Sequence, residues 1–330
     1  MKAIVINKFG NALEVFEKTE LPVPIVGENE ILVKVVATSV NPVEYKIRNG
    51  ALAGLAGDFP VVLHSDVSGI VEAVGENVET FMIGDQVYGC AGGLVGNIGA
   101  LAEFMNGDFR LFSKKPGNLS FTEAGALPLV AITAFEAIFD RAKVKTGQKI
   151  LIYGGVGGVG HLAVQFAKLA GAEVFATVST KQQAEIVKIM GADHVINYKT
   201  EPVEAFVNKH TNGKGFDVVF DTIGNENLEN SFKATKLNGT VVTTSSLLEA
   251  DLTPVHLKGL DFQVVFMLIP MLHNVGKKRH GEILEQVAAW VQQGKVKPLI
   301  DSKFSFENVG FAHQKAESGQ IMGKVVISNE

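Results

Sequence analysis

The stretch ILIYGGVGGVGHLAVQFAK, residues 150–168, places five glycines within seven positions, between an apolar run and an amphipathic one. Inside it, Gly155-Val156-Gly157-Gly158-Val159-Gly160 fits the spacing G-x-G-x-x-G. That spacing alone is weak, because glycine-rich turns are common. After a strand and at the opening of a helix it acquires a physical meaning. Gly155 permits the tight turn, Gly157 lets the backbone approach a pyrophosphate, and Gly160 allows close helix–strand packing. The helix N-terminus adds free N–H groups and the positive end of its dipole. The stretch therefore predicts a bound dinucleotide on Gly155, Val156, Gly157, Gly158 and Val159.

Downstream the texture alternates. KILIYG reads as a strand, 158–169 as a helix, EVFATV as a strand, 181–190 as a helix and HVINY as a strand. FDVVFDTIG, GTVVTTS and DFQVVFML follow, each an apolar β-branched run of the kind buried on both faces. Strands alternating with helices predict βαβ units and a doubly wound parallel sheet. A last helix is expected over 282–293, ended by Gly294. Upstream, AIVI, ENEILVKVVAT, SGIVEAVG and DQVYG are short strands punctuated by Pro and Gly, as in a small β-barrel or sandwich. FTEAGALPLVAITAFEAIFDRA is helical in spacing, with Thr122 as N-cap and Glu123 in the first turn. The tail from VKPLIDSKF to GKVVI returns to β texture and is expected to complete the first domain. The chain thus divides into 1–123 with 293–330, and 124–292.

At 330 residues two domains are the first expectation. The net charge of −5 argues against a nucleic-acid partner held by phosphate neutralisation. The single cysteine, Cys90, excludes an intrachain disulfide and thiolate metal clusters. MKAIVINKFG reads as a strand rather than a signal peptide, and the apolar runs fall far short of a membrane span. A cytoplasmic protein with no membrane partner is expected.

The kind of dinucleotide depends on the end of the second strand of the βαβ unit, where an NAD enzyme usually places an acid on the ribose 2′-OH. Here the chain reads ATVSTKQ: Ser179 stands in that place and Lys181 follows two residues later. A hydroxyl and an ammonium suit a 2′-phosphate, so NADP(H) is the expected cofactor.

The whole chain resembles the medium-chain dehydrogenase/reductase superfamily in its zinc-free quinone oxidoreductase branch. The landmarks are TSVNPVEYKIRNG (38–50), HSDVSGIVEAVG (64–75), GALPLVAITAFEAI (125–138), YGGVGGVGHLAVQFAK (153–168), GADHVINY (191–198), DTIG (221–224) and GKVVI (323–327). The resemblance implies a GroES-like β-barrel catalytic domain, a Rossmann domain, and a cleft where they meet. Zinc alcohol dehydrogenases of the superfamily carry a catalytic Cys in the first landmark and a His in the second; this chain has Asn41 and Ser65 there. His64 adjoins the second position, but one His without a thiolate partner makes no three-ligand site, so it reads as a packed or hydrogen-bonding residue. No metal is expected. Without a metal Lewis acid, hydride delivery to a quinone or to the C=C of an α,β-unsaturated carbonyl is favoured, because hydrogen-bond donors suffice for the developing enolate.

By the same resemblance, Asn41 faces nicotinamide and substrate, and Tyr45 and Lys46 are candidate donors or acids. Thr133 lies near the nicotinamide carboxamide, and Tyr198 beside the adenosine phosphate. Ile223, Gly224, Ser245 and Met267 line the cofactor from the strand ends, while Gly323 and Lys324 match a tail motif closing over the cleft. A homodimer joined through 261–268 is expected, since an apolar strand at a sheet edge is a pairing liability. Two readings stay open beside the NADPH-dependent quinone or enone reductase: a 2-enoyl thioester reductase, and a cofactor-binding protein with a non-enzymatic role.

Overall fold

The computed structural model describes residues 1–225, 227–245 and 249–329. The strands are β1 (Lys2–Ile6), β2 (Phe16–Glu20), β3 (Glu30–Ser39), β4 (Asp66–Val74), β5 (Gln86–Cys90), β6 (Phe104–Asp108), β7 (Phe112–Lys114), β8 (Lys149–Tyr153), β9 (Glu173–Val178), β10 (His194–Asn197), β11 (Phe216–Asp221), β12 (Thr235–Thr243), β13 (Asp261–Val264), β14 (Ile300–Phe304) and β15 (Lys324–Ser328). The helices are α1 (Pro42–Arg48), α2 (Phe121–Gly125), α3 (Pro128–Phe135), α4 (Gly160–Leu169), α5 (Lys181–Ile189), α6 (Val203–Thr211), α7 (Asn227–Ala234), α8 (Thr253–Lys258), α9 (Ile269–His273), α10 (Lys277–Gln292) and α11 (Val309–Glu317).

The chain forms two compact units, 1–132 with 268–330, and 133–267. The second holds a six-stranded sheet in the order β10-β9-β8-β11-β12-β13, parallel at every pairing. Its central strands are closed on both faces: Ile150, Leu151, Ile152, Val219 and Phe220 are all fully buried. The order reverses between β8 and β11, and ligands of such sheets bind beyond the strand carboxyl ends at that reversal.

The first unit carries a seven-stranded sheet ordered β14-β15-β3-β4-β5-β7, with β6 also on β3, and a separate β1–β2 pair. The tail does complete this unit, because β15 pairs antiparallel with β3. Its core gathers Ile31, Val33, Val67, Val71, Val87, Met105 and Phe112.

Four local expectations change. The division falls at 132 and 267, not at 123 and 292, because α10 packs on β7 and the Tyr88 hydroxyl donates to Leu284 O at 2.5 Å. The N-cap of α2 is Ser120, whose hydroxyl accepts from Glu123 N while Glu123 accepts from Ser120 N. The strand expected over 261–268 ends at Val264, after which Met267 and Leu268 are buried in a turn. The tail is not all β, since α11 buries Val309, Ala312, His313 and Ala316 at helical spacing.

Candidate active site

In the parallel-sheet unit the glycine loop joins β8 to α4. Gly154 takes the left-handed conformation, φ 72°, so the tight turn sits one residue before the glycine expected to make it. Gly155 serves close approach instead, because a Cβ there would lie 2.8 Å from the Ala176 Cβ. Gly160 does the packing expected of it: a Cβ would lie 2.0 Å from Gly154 O. At Gly157 a Cβ would meet only Gly154 O, at 3.3 Å, leaving that face free for a ligand. The first turn of α4 has no side-chain cap, and of its N–H groups those of His161 and Ala163 donate to Gly157 O and Val159 O, so the positive end of the helix dipole is what it offers an anion. These features fit a pyrophosphate.

The other expected cofactor residues of this unit collect at the carboxyl ends of neighbouring strands. Ser179 follows β9, and Tyr198 follows β10 with its N–H on Val178 O. Tyr198 is 55% exposed and Lys181 is exposed at the start of α5. The Ser179 N–H and hydroxyl both donate to Gln183 Oε1, at 2.8 and 3.0 Å. Ile223 and Gly224 follow β11, where both N–H groups donate to Asp221 Oδ1 at 2.9 Å. Ser245 follows β12, and a Cβ on Gly224 would collide with its side chain at 2.2 Å. Val156, Thr133 and Met267 are buried, while Gly158 and Val159 are half-buried in the loop.

The first unit holds a closed polar cluster at the start of α1, and Asn41, Glu44, Ser65 and Asp66 have no exposed surface. Asn41 is the N-cap of α1, and its backbone N–H donates to Glu44. Its side-chain Nδ2 donates to Asp66 Oδ2 at 2.8 Å and to Glu44 Oε1 at 3.2 Å. Its Oδ1 accepts from the Lys324 ammonium, which also donates to Val40 O at 2.9 Å. Ser65 Oγ donates to Glu44 Oε1 at 2.9 Å, Ser39 Oγ to Asp66 Oδ2 at 2.8 Å, and Leu129 N to Asp66 Oδ1 at 2.7 Å. Burial, reinforced by Asp66, pushes Glu44 up to about 7 against the opposing pull of Lys324 and Ser65.

Two histidines continue the cluster. His64 Nδ1 lies 3.1 Å from Thr38 Oγ1, and its Nε2 lies 2.8 Å from His313 Nε2. Thr38 spends its only hydroxyl proton on Asp66 O, so it accepts from His64 Nδ1–H. His64 Nε2 must then accept from His313 Nε2–H, which assigns both tautomers. Burial, then the Lys324 charge, pushes His64 down to about 3; burial, His64 and Arg48 hold His313 well below its ordinary value. Both rings are neutral at physiological pH.

An alcohol dehydrogenase GroES-like domain matches residues 27–117, and a zinc-binding dehydrogenase domain matches 190–327. The chain is 36% identical to a 2-methylene-furan-3-one reductase of Solanum lycopersicum, over 99% of this chain and 79% of that protein. The structure of an alcohol dehydrogenase superfamily protein from Novosphingobium aromaticivorans superposes with a TM-score of 0.94, at 38% identity over the full length of both chains. That of Escherichia coli quinone oxidoreductase complexed with NADPH superposes with a TM-score of 0.88, at 26% identity, covering 99% of this chain and 100% of that one. The chain is a medium-chain dehydrogenase/reductase of the quinone oxidoreductase branch.

The zinc in the name of one matching domain does not suit the residues of this medium-chain reductase. An amide and a hydroxyl stand at 41 and 65, and a buried ammonium touches the amide, repelling a second cation. Nor does Asn41 have an amide hydrogen left to face a nicotinamide: both are taken by Asp66 and Glu44. Lys324, expected with Gly323 as a cofactor contact, is buried with its ammonium on Asn41 Oδ1. Tyr45 and Lys46 are half-buried on α1. Burial, then the Glu317 and Glu44 carboxylates, raises the Tyr45 pKa, so the phenol stays a proton-bearing donor. Glu44, Asp66 and Gln183 were missed from sequence. Only Glu44 had a signal, the Asn41-x-x-Glu44 spacing of a helix start.

Proposed function

We propose that this medium-chain reductase uses NADPH to reduce quinones and the C=C bond of α,β-unsaturated carbonyls without zinc, acting as a cytoplasmic homodimer. The observation that carries the reading is the pairing of a dinucleotide bed in one unit with a metal-refusing cluster in the other. The names of its relatives point the same way: one reduces a methylene-furanone, the other is a quinone oxidoreductase seen with NADPH. The free, fully buried Cys90 suits a reducing compartment such as the cytoplasm.

Bound NADPH supplies the hydride. The α4 N-terminus and the open face of Gly157 hold the pyrophosphate, while Ser179, Lys181 and Tyr198 read the adenosine end. Thr133, on α3, and Ile223, Gly224, Ser245 and Met267, beyond the strand ends, shape the bed. Tyr45 and Lys46 donate to the oxygen that becomes an enolate, a role open to a phenol that stays protonated. Cofactor oxidation with a panel of enals, enones, quinones, enoyl thioesters and primary alcohols tests the reading, alongside elemental analysis. Turnover of enones and quinones with sub-stoichiometric zinc is expected. Rapid alcohol oxidation with enones and quinones inert, or one zinc per chain, would overturn it.

A further inference from the structure

Lys324 is 3% exposed, and its ammonium meets three oxygens: Val40 O at 2.9 Å, Asn41 Oδ1, and Asp66 Oδ2 at 3.6 Å. Val40 O and Asn41 Oδ1 accept hydrogen bonds from it, and Asp66 stands beside it as an ion-pair partner. The approach is constrained as well. Gly323 has φ 80°, and a Cβ there would lie 2.0 Å from Leu299 O, so only glycine brings the chain to this point. Two buried carboxylates, Glu44 and Asp66, surround the single cation, with the Cys90 thiol and the Ser65 hydroxyl beside them. Burial holds the Lys324 pKa below its ordinary value, and Asp66, Glu44 and Cys90 oppose that shift only in part.

We propose that Lys324 is a positioning residue: its ammonium is the fixed internal cation that locks Asn41 against Asp66 and so sets α1, the helix presenting Tyr45 and Lys46. The action runs through named bonds. Lys324 fixes which way the Asn41 amide faces; that amide then donates to Asp66 and Glu44; and the Asn41 backbone N–H on Glu44 begins α1. Arg48, at the other end of α1, pairs with Glu317 on α11 and holds that end independently. Without the ammonium, Asp66 and Glu44 lose their counter-charge and the Asn41 amide loses the contact that orients it. Tyr45 is then misplaced while the dinucleotide bed in the other unit is untouched.

The inference rests on the reduction proposed above, and its test separates the two. In Lys324→Ala the missing atoms are those of n-propylammonium. We expect kcat to fall about 10- to 100-fold, as for a misplaced reacting group, with the NADPH dissociation constant by fluorescence titration unchanged within about twofold. Added n-propylammonium should restore kcat saturably and raise the melting temperature of the variant, whereas tetramethylammonium, which has no N–H, should do neither. The melting temperature needs no substrate, so it reads the cation site even if the wild type reduces no enone or quinone. Parallel loss of NADPH affinity would make Lys324 a cofactor contact and overturn the proposal, as would an unchanged kcat or no response to n-propylammonium. If Lys324→Ala does not fold, the charge-balanced Lys324→Met/Asp66→Asn pair takes its place. It should keep NADPH affinity and lose kcat; wild-type kcat there would also overturn the proposal.

Discussion

Ser179 turns its hydroxyl to Gln183 rather than outward, so it reaches a 2′-phosphate only by exchanging that bond. Lys181, exposed and among the described residues outside any ion pair, and the exposed Tyr198 hydroxyl are therefore the donors held ready. A charge-assisted bond contributes about 1.5–3 kcal/mol, and every ~1.4 kcal/mol is tenfold in affinity. One or two such contacts at a solvent-facing site predict an NADPH over NADH preference of about 10- to 100-fold, weakening with salt. Ser179→Asp should reverse the order, since the carboxylate repels the phosphate and accepts from the ribose 2′-OH of NADH. Titrating both cofactors against wild type and variant decides it; a variant that still favours NADPH would mean the adenosine end is read elsewhere.

β13 is the last strand of its sheet, hydrogen-bonded to β12 along one edge, with Val264 at its end and Phe266 just after it exposed. An unpaired apolar edge is a template for another strand, and pairing with its own two-fold mate closes the liability without building a filament. Only four residues of the expected 261–268 segment are strand, so the pairing would be short and the turn at 265–268 would share the contact. We expect a homodimer in sedimentation at about micromolar concentration, in the range of ordinary obligate and stable pairs. Val264→Lys with Phe266→Lys should release monomers that keep their circular dichroism spectrum. A wild type that sediments as a monomer would remove the dimer from the proposal.

Burial of titratable groups sets how stability of the protein varies with pH. His64 and His313 have folded pKa values below their unfolded ones, so the unfolded chain takes up protons first as pH falls below about 6.5. Glu44 has the opposite sign: raised to about 7, it contributes stability that is complete below its unfolded value and lost as pH climbs through 7. Each group changes stability by about 1.4 kcal/mol per pH unit inside its window. Between the unfolded Glu and His values the two histidines outweigh the one glutamate, so the urea midpoint should rise with pH, peak near about 6.5, dip slightly and flatten above about 7. Glu44→Gln should abolish the dip and keep the acid limb. A wild-type curve that rises monotonically to pH 8 would show that Glu44 is ionised throughout.

Local patterns were enough for the parallel sheet, the glycine loop and the tail strand that returns to β3, because each is encoded by periodicity and by glycines whose missing Cβ is needed nearby. Gly160 is such a case: its neighbour Gly154 lies six residues away, and the reason for it is readable within one turn. The Asn41-x-x-Glu44 spacing marks a helix start, but nothing in it carries the chemistry of the pair. That Asn41 spends its amide on Asp66, that Lys324 arrives from 283 residues away to balance two carboxylates, and that His64 meets His313 across 249 residues were decided by packing alone. A charge's worth depends on what surrounds it in a medium that excludes water, and chain separation carries no information about that. For the same reason α10 looked like part of the parallel-sheet unit and α11 like strand: an amphipathic face says that a helix packs, while only the folded chain chooses its partner.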